Sequence, residues 1–194
     1  MATRYSLVVP VYRNEETIPD LLDALAGIDR KLGGALEVVF VIDGSPDRSL
    51  ALLVDALPRT GLTAQVLEMS RNFGAFAAIR AGLIEATGPH FAVMAADLQE
   101  PPDLAVEFFR RLEQGTCDVV CGVRAGRDDP LPARLASALF WASYRRLVQP
   151  EMPPGGVDVF GCNVRARDAL VSLTEAHSRL IGQLLWIGMR RDEV

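Results

Sequence analysis

Leu36-Glu37-Val38-Val39-Phe40-Val41-Ile42-Asp43-Gly44-Ser45-Pro46-Asp47 is an apolar, β-branched run of strand length that stops at a polar, turn-forming cluster. Such a run reads as a strand, and the Asp-Gly-Ser-Pro-Asp that closes it reads as a turn. The same pattern recurs on either side. Tyr5 to Val9, Ala64 to Met69, Phe91 to Ala95 and Asp118 to Val123 read as strands, with Ile18 to Leu32, Arg48 to Leu57, Phe73 to Ala86 and Asp103 to Gln114 as the helices between them. Five strands joined by helical crossovers predict an α/β fold: a single Rossmann-like domain with a mostly parallel open sheet flanked by helices.

In such sheets ligands bind beyond the carboxyl ends of the strands. Polar clusters stand at those ends here: Pro10-Val11-Tyr12-Arg13-Asn14-Glu15, then Asp43 to Asp47, then Ser70-Arg71-Asn72-Phe73-Gly74, then Ala96-Asp97-Leu98-Gln99-Glu100-Pro101-Pro102. Beyond Gly126 the alternation stops. Pro130 to Val148 reads as a loop and a helix, Gln149 to Gly156 as a Pro/Gly loop, Asp158 to Val164 as a strand, and Arg167 to Leu173 and Arg179 to Ile187 as helices.

With 194 residues, 49% hydrophobic and 23% charged, the chain fits one compact domain. Its net charge of −5 argues against a general nucleic-acid binder, because affinity for that polyanion comes mainly from Lys and Arg on phosphates. Three cysteines without zinc-ligand spacing fit a reduced, cytosolic compartment. The start at Met1 lacks a secretion signal, and no apolar stretch reaches membrane-spanning length. His90 and His177 read as structural or exposed rather than catalytic.

Neither G-x-G-x-x-G nor G-x-x-x-x-G-K-[ST] occurs, which sets aside the common dinucleotide and phosphate-loop readings. What stands at the strand ends is carboxylate and amide, notably Asp97 and Gln99. Oxygen ligands of this kind suit Mg²⁺ or Mn²⁺ held against a diphosphate. Taken alone, the pair is equally compatible with ordinary loop chemistry, and Pro101-Pro102-Asp103 with a helix start.

Taken together, Pro10-Val11-Tyr12 with Glu15, Val41-Ile42-Asp43-Gly44-Ser45-Pro46-Asp47, Ser70-Arg71-Asn72-Phe73-Gly74, Ala96-Asp97-Leu98-Gln99 with Pro101-Pro102, and Leu185-Trp186-Ile187-Gly188 resemble family 2 glycosyltransferases. Order and spacing most resemble the branch of dolichol- or polyprenyl-phosphate mannosyl- and glucosyltransferases. The resemblance implies a glycosyltransferase A type domain over residues 1–194, with a nucleotide-sugar-binding half at 1–125 and an acceptor half at 126–194. It implies that Pro10, Tyr12, Glu15, Asp43, Arg71 and Asp97 line the nucleotide site, with Asp43 accepting from a ring N–H of the base. Asp97 and Gln99 would hold Mg²⁺ or Mn²⁺ on the diphosphate of a UDP- or GDP-linked sugar. The implied reaction is an inverting displacement at the sugar C1 by a polyprenyl phosphate at a membrane surface.

A phosphate acceptor is already ionised at neutral pH, so orientation and charge screening matter more than a base. Arg124, Arg127 and Arg134 are the expected contacts to that phosphate, in a catalytic set with Asp97; solvated surface charge is their alternative reading. The helix after Pro132, with Phe140, Trp141 and Tyr144, is expected either to dock peripherally at the cytoplasmic membrane face or to pack in the core. A second copy of the chain is a further candidate partner. Two positions depart from the family pattern: Ile42 and Ala95 stand where acids are usual, which favours a weak or silent nucleotide-sugar-binding module as an alternative. Relatives also commonly continue past Val194 into membrane helices, so the expected acceptor half is shortened. A soluble transferase with a polysaccharide or protein acceptor is the remaining alternative.

Overall fold

The computed structural model describes residues 3–123, 153, 156–173 and 180–194. Seven strands form one sheet in the order β3-β2-β1-β4-β6-β5-β7. They are β1 Tyr5–Val11, β2 Leu36–Ile42, β3 Thr63–Glu68, β4 His90–Val93, β5 Val119–Val123, β6 Val157–Asn163 and β7 Arg191–Glu193. Between them lie α1 Ile18–Lys31, α2 Ser49–Thr60, α3 Ala75–Glu85, α4 Asp103–Glu113, α5 Val164–Ser172 and α6 Leu180–Trp186. β1 pairs in parallel with both β2 and β4, and β2 in parallel with β3, whereas β6 runs antiparallel between β4 and β5.

Each central strand is buried on both faces, as expected for a sheet covered by helices on both sides. Leu7, Val9 and Val11 of β1 with Val38, Phe40 and Ile42 of β2 join α1 and α4 in one core. Val8, Val39 and Val41 face the other way, onto Ile79 and Leu83 of α3 and the apolar sides of α5 and α6. Helices α3 and α5 also cap each other. Arg80 donates to the carbonyls of Leu170 and Val171 at the end of α5, and Arg167 to those of Leu83 and Ala86 at the end of α3. Cations so placed satisfy carbonyls that a helix terminus leaves free.

The mostly parallel sheet agrees with the sequence reading, and three details differ from it. The strand read at Asp158 to Val164 is β6, inserted antiparallel between β4 and β5, and the short β7 was not read at all. β7 consists of charged residues, yet it pairs with β5 and is fastened by Arg111 to Asp192 at 2.7 Å and by the bidentate Arg190–Asp118 pair at 2.9 and 3.0 Å. β4 stops at Val93, so Ala95 belongs to the loop that leaves the sheet. Helix α5 starts at Val164 because Asn163 caps it, its side-chain oxygen accepting from Ala166 N–H at 3.0 Å.

At the amino edge of the sheet a buried carboxylate, Glu37, binds three neighbouring segments together. It accepts from Ser6 Oγ at 2.7 Å, Gln65 Nε2 at 2.7 Å and the Thr87 N–H at 2.9 Å. Burial pushes its pKa up, but the hydrogen bonds from Thr87, Ser6 and Gln65 outweigh that and hold it below the ordinary Glu value. Glu37→Gln is expected to cost about 1–3 kcal/mol, read as a lower Tm. A lowered native pKa gives stability that is full above the unfolded pKa and lost as pH falls through the native one. The gap between wild type and Glu37→Gln should therefore shrink below about pH 4.

Candidate functional site

The chain runs outward from β1 to β2 and β3, then returns to place β4 on the other side of β1. This reversal leaves a crevice at the carboxyl ends of β1 and β4, the position where open α/β sheets bind ligands. The loops after β1, β2, β3 and β4 therefore share one edge. They carry Tyr12, Glu15, Asp43, Arg71, Asp97 and Gln99, while Pro10 lies within β1 opposite Val41. Thr17 closes the crevice floor, its hydroxyl 2.9 Å from the Ala96 carbonyl.

Asp43 is only 2% exposed, and each of its oxygens accepts one backbone N–H, from Phe73 at 2.7 Å and Gly74 at 2.8 Å. These bonds explain why α3 begins at Ala75 and not at Phe73: the preceding N–H groups are turned onto Asp43, and Gly74 adopts φ 95°. Gly44, at φ 57°, lets the two loops touch, since a Cβ there would lie 2.3 Å from the Arg71 carbonyl carbon. The loop after β3 is thus a partner of Asp43, the residue that the family resemblance also assigns to the base.

Around Asp47 the loops after β1 and β2 are stitched into one body. The carboxylate accepts from the hydroxyls of Ser45 and Ser49 and from the N–H groups of Glu15 and Ser49. Burial pushes its pKa up, yet the bonds from Ser45, Ser49 and Glu15 prevail and bring it to about 2. Glu15 returns a bond, accepting from Arg48 N–H at 2.9 Å. None of Asn14, Thr17, Ser45, Asp47 or Ser49 was singled out from sequence. The available signal was the Ser-x-Asp-x-Ser spacing, which suits side chains that bond backbone two residues on.

Exposed groups line the mouth. Tyr12 is 39% exposed with the Arg13 guanidinium 5.3 Å from its ring centre, and Arg71 lies 4.0 Å over the exposed Phe73 ring. Asp97 and Gln99 are exposed side by side, with Asp97 Oδ1 accepting Gln99 N–H at 3.2 Å. Among the described residues, Arg13 at φ 58° and Leu98 at φ 56° are the non-glycine residues in the left-handed region. Backbone strain of this kind concentrates where a loop is held for function.

An exposed carboxylate beside a carboxamide can share a divalent cation with phosphate. No group of three or more His, Cys, Asp or Glu gathers among the described residues, so a cation here would take most of its shell from phosphate oxygens and water, as Mg²⁺ commonly does. Arg124, Arg127 and Arg134, the helix after Pro132 and His177 lie outside the described residues. Ile42, 1% exposed, faces the core beside Val11 and Ile18, while its neighbour Asp43 projects to the opposite face.

The family model described as glycosyl transferase family 2 matches residues 6–173. The undecaprenyl-phosphate 4-deoxy-4-formamido-L-arabinose transferase of Pectobacterium atrosepticum is 36% identical over 178 residues, covering 90% of this chain and 52% of its own. The protein of the same name from Pseudomonas aeruginosa is 37% identical over 161 residues, covering 83% and 46%. The chain thus spans about half the length of these curated relatives. Among solved structures, a Pyrobaculum calidifontis mannosyltransferase in complex with GDP-Man and Mn²⁺ superposes with a TM-score of 0.72 at 20% identity, covering 100% of this chain and 55% of that one. Glucosyl-3-phosphoglycerate synthase from Mycobacterium tuberculosis, with Mn²⁺ and UDP, gives 0.62 at 20% identity, covering 98% and 70%. These last two likenesses establish the fold.

Asp43→Asn places an NH₂ against one of the two N–H groups that the carboxylate now accepts. Expected is a loss of about 1–3 kcal/mol in denaturant unfolding, with faster hydrogen exchange at the Phe73 and Gly74 amides.

Proposed function

The chain belongs to glycosyl transferase family 2, and from that premise we propose that it transfers a sugar from a nucleoside-diphosphate sugar to a polyprenyl phosphate at a membrane surface. The observation that carries this reading is the shared carboxyl edge of β1, β2 and β4, where the exposed pair Asp97 and Gln99 stands with loops that carry Tyr12, Glu15 and Asp43. Both curated relatives are named as undecaprenyl-phosphate sugar transferases, which supports the lipid-phosphate acceptor.

In this proposal the nucleoside sits against Pro10, Tyr12, Glu15 and Arg71, and Asp43 shapes that seat by holding Phe73 and Gly74. Asp97 and Gln99 would hold Mg²⁺ or Mn²⁺, which supplies charge neutralisation on the departing diphosphate. The acceptor phosphate oxygen bonds to the sugar C1 on the face opposite the leaving group, as the bond to the diphosphate breaks, inverting the anomeric centre. Arg124, Arg127 and Arg134 are assigned to the acceptor phosphate on sequence grounds, and residues 126–194 to the acceptor half. No helix among the described residues is long and apolar enough to cross a membrane. Within the proposal this chain meets the cytoplasmic membrane face peripherally.

A second reading, a nucleotide-sugar-binding module with little transfer activity, is favoured by Ala95, which offers no carboxylate at the start of the Asp97 loop. Calorimetry with UDP and GDP, with and without Mn²⁺, tests the donor site. One of them should bind in a Mn²⁺-dependent manner, and Asp97→Ala should weaken that binding about tenfold or more. Absence of binding to either at millimolar concentration would sink the proposal. Ala95→Asp separates the two readings: a large rise in transfer marks the weak module, and an unchanged rate marks a competent enzyme.

A further inference from the structure

The loop after β1 is anchored in an unusual way. Its three successive N–H groups all end on a single carboxylate, directly or through one hydroxyl. Glu15 N–H reaches Asp47 Oδ2 at 3.0 Å. Arg13 N–H reaches Ser45 Oγ at 2.8 Å, and that hydroxyl donates to Asp47 Oδ1 at 2.6 Å. Asn14 N–H reaches Ser49 Oγ at 3.1 Å, and that hydroxyl donates to Asp47 Oδ2 at 2.9 Å. With Ser49 N–H at 3.2 Å, two oxygens take four donors, close to a carboxylate's full capacity.

We infer that Asp47 is a positioning residue of the donor site, holding the loops after β1 and β2 as one ledge against which the nucleoside is seated. The inference rests on the donor-site reading above and deepens it. The ledge has a cost that needs an anchor: Arg13 sits at φ 58°, a conformation unfavourable for a residue with a Cβ, and its N–H is one of the three tied to Asp47. That bend lies directly after Tyr12, the exposed ring at the mouth. Both serine hydroxyls donate to the carboxylate, which leaves their lone pairs facing the backbone N–H groups. The ionised state orients the whole set. Neutralising Asp47 turns one acceptor into a donor aimed at groups that themselves donate, so the ledge loosens while the sheet beneath it keeps its pairing.

The test compares Asp47→Asn with Glu37→Gln, whose carboxylate lies at the opposite edge of the sheet. In the unliganded chain, Asp47→Asn should raise hydrogen exchange at the Arg13, Asn14 and Glu15 amides about tenfold or more, and Glu37→Gln should leave them at wild-type rates. With Mn²⁺ and whichever of UDP or GDP the wild type binds, Asp47→Asn should raise Kd about tenfold at a temperature well below its Tm, while Glu37→Gln lowers Tm without moving Kd. Should Asp47→Asn fail to fold, Ser45→Ala cuts the Arg13 branch alone and should speed exchange at that amide. Wild-type exchange at all three amides in Asp47→Asn, or a Kd shift no larger than that of Glu37→Gln, overturns the inference. A wild type that binds neither nucleotide defeats the donor-site reading instead, and the exchange comparison still decides whether Asp47 holds the ledge.

Discussion

Parallel pairing of β1 with β2 on one side and β4 on the other is the constraint from which the rest of the molecule follows. A strand hydrogen-bonded on both sides has its register fixed, and its parallel neighbours must end at the same edge. Loops that lie far apart in sequence are thereby delivered to one crevice. Once there, a loop has no ladder to hold it, and its N–H groups need acceptors. The carboxylates at the strand ends supply them.

Asp43 and Asp47 accept from backbone and hydroxyl donors in preference to Lys or Arg, as Glu37 does at the far edge. Bonds of this kind are directional and set geometry, but they leave the negative charge uncompensated. The same edge carries exposed Glu15 and Asp97 together with exposed Arg13 and Arg71, so an approaching diphosphate meets charges of both signs. In the proposal, a divalent cation shared between Asp97 and the donor would screen the diphosphate from the carboxylates. The carboxylates of the edge and the metal in the proposal thus belong to one electrostatic problem.

The strands with apolar runs closed by Gly, Pro or Asp were legible because burial and turn chemistry both act locally. β7 was not, since Arg-Asp-Glu has no strand character of its own; its pairing comes from Arg111, Asp118 and the open side of β5. The carboxylates at the strand ends were visible as a group, but their backbone partners were not. Asp43 reads as a ligand contact by position, and the packed structure adds that it holds residues 30 and 31 positions away. Asp47 reads from sequence only as part of a turn, because its role is defined by Arg13 to Glu15 and no local pattern reports a partner in another loop. Ile42, at a position where the resemblance expects an acid, is turned into the core by strand alternation.

Helix α3 is fastened to the rest of the molecule at both ends by groups that lie outside it. At its start the N–H groups of Phe73 and Gly74 are gripped by Asp43, and at its end the carbonyls of Leu83 and Ala86 are gripped by Arg167 of α5. Eleven residues at the helical rise make a strut about 16 Å long. In its last turn, Gly82 seats it so closely on β1 that a Cβ would come within 2.4 Å of Val8 Cγ1. Such a member carries load along its axis and has little freedom to bend or roll. The loop after β2 and the helix that follows β6 are thus joined to the two ends of one closely seated element.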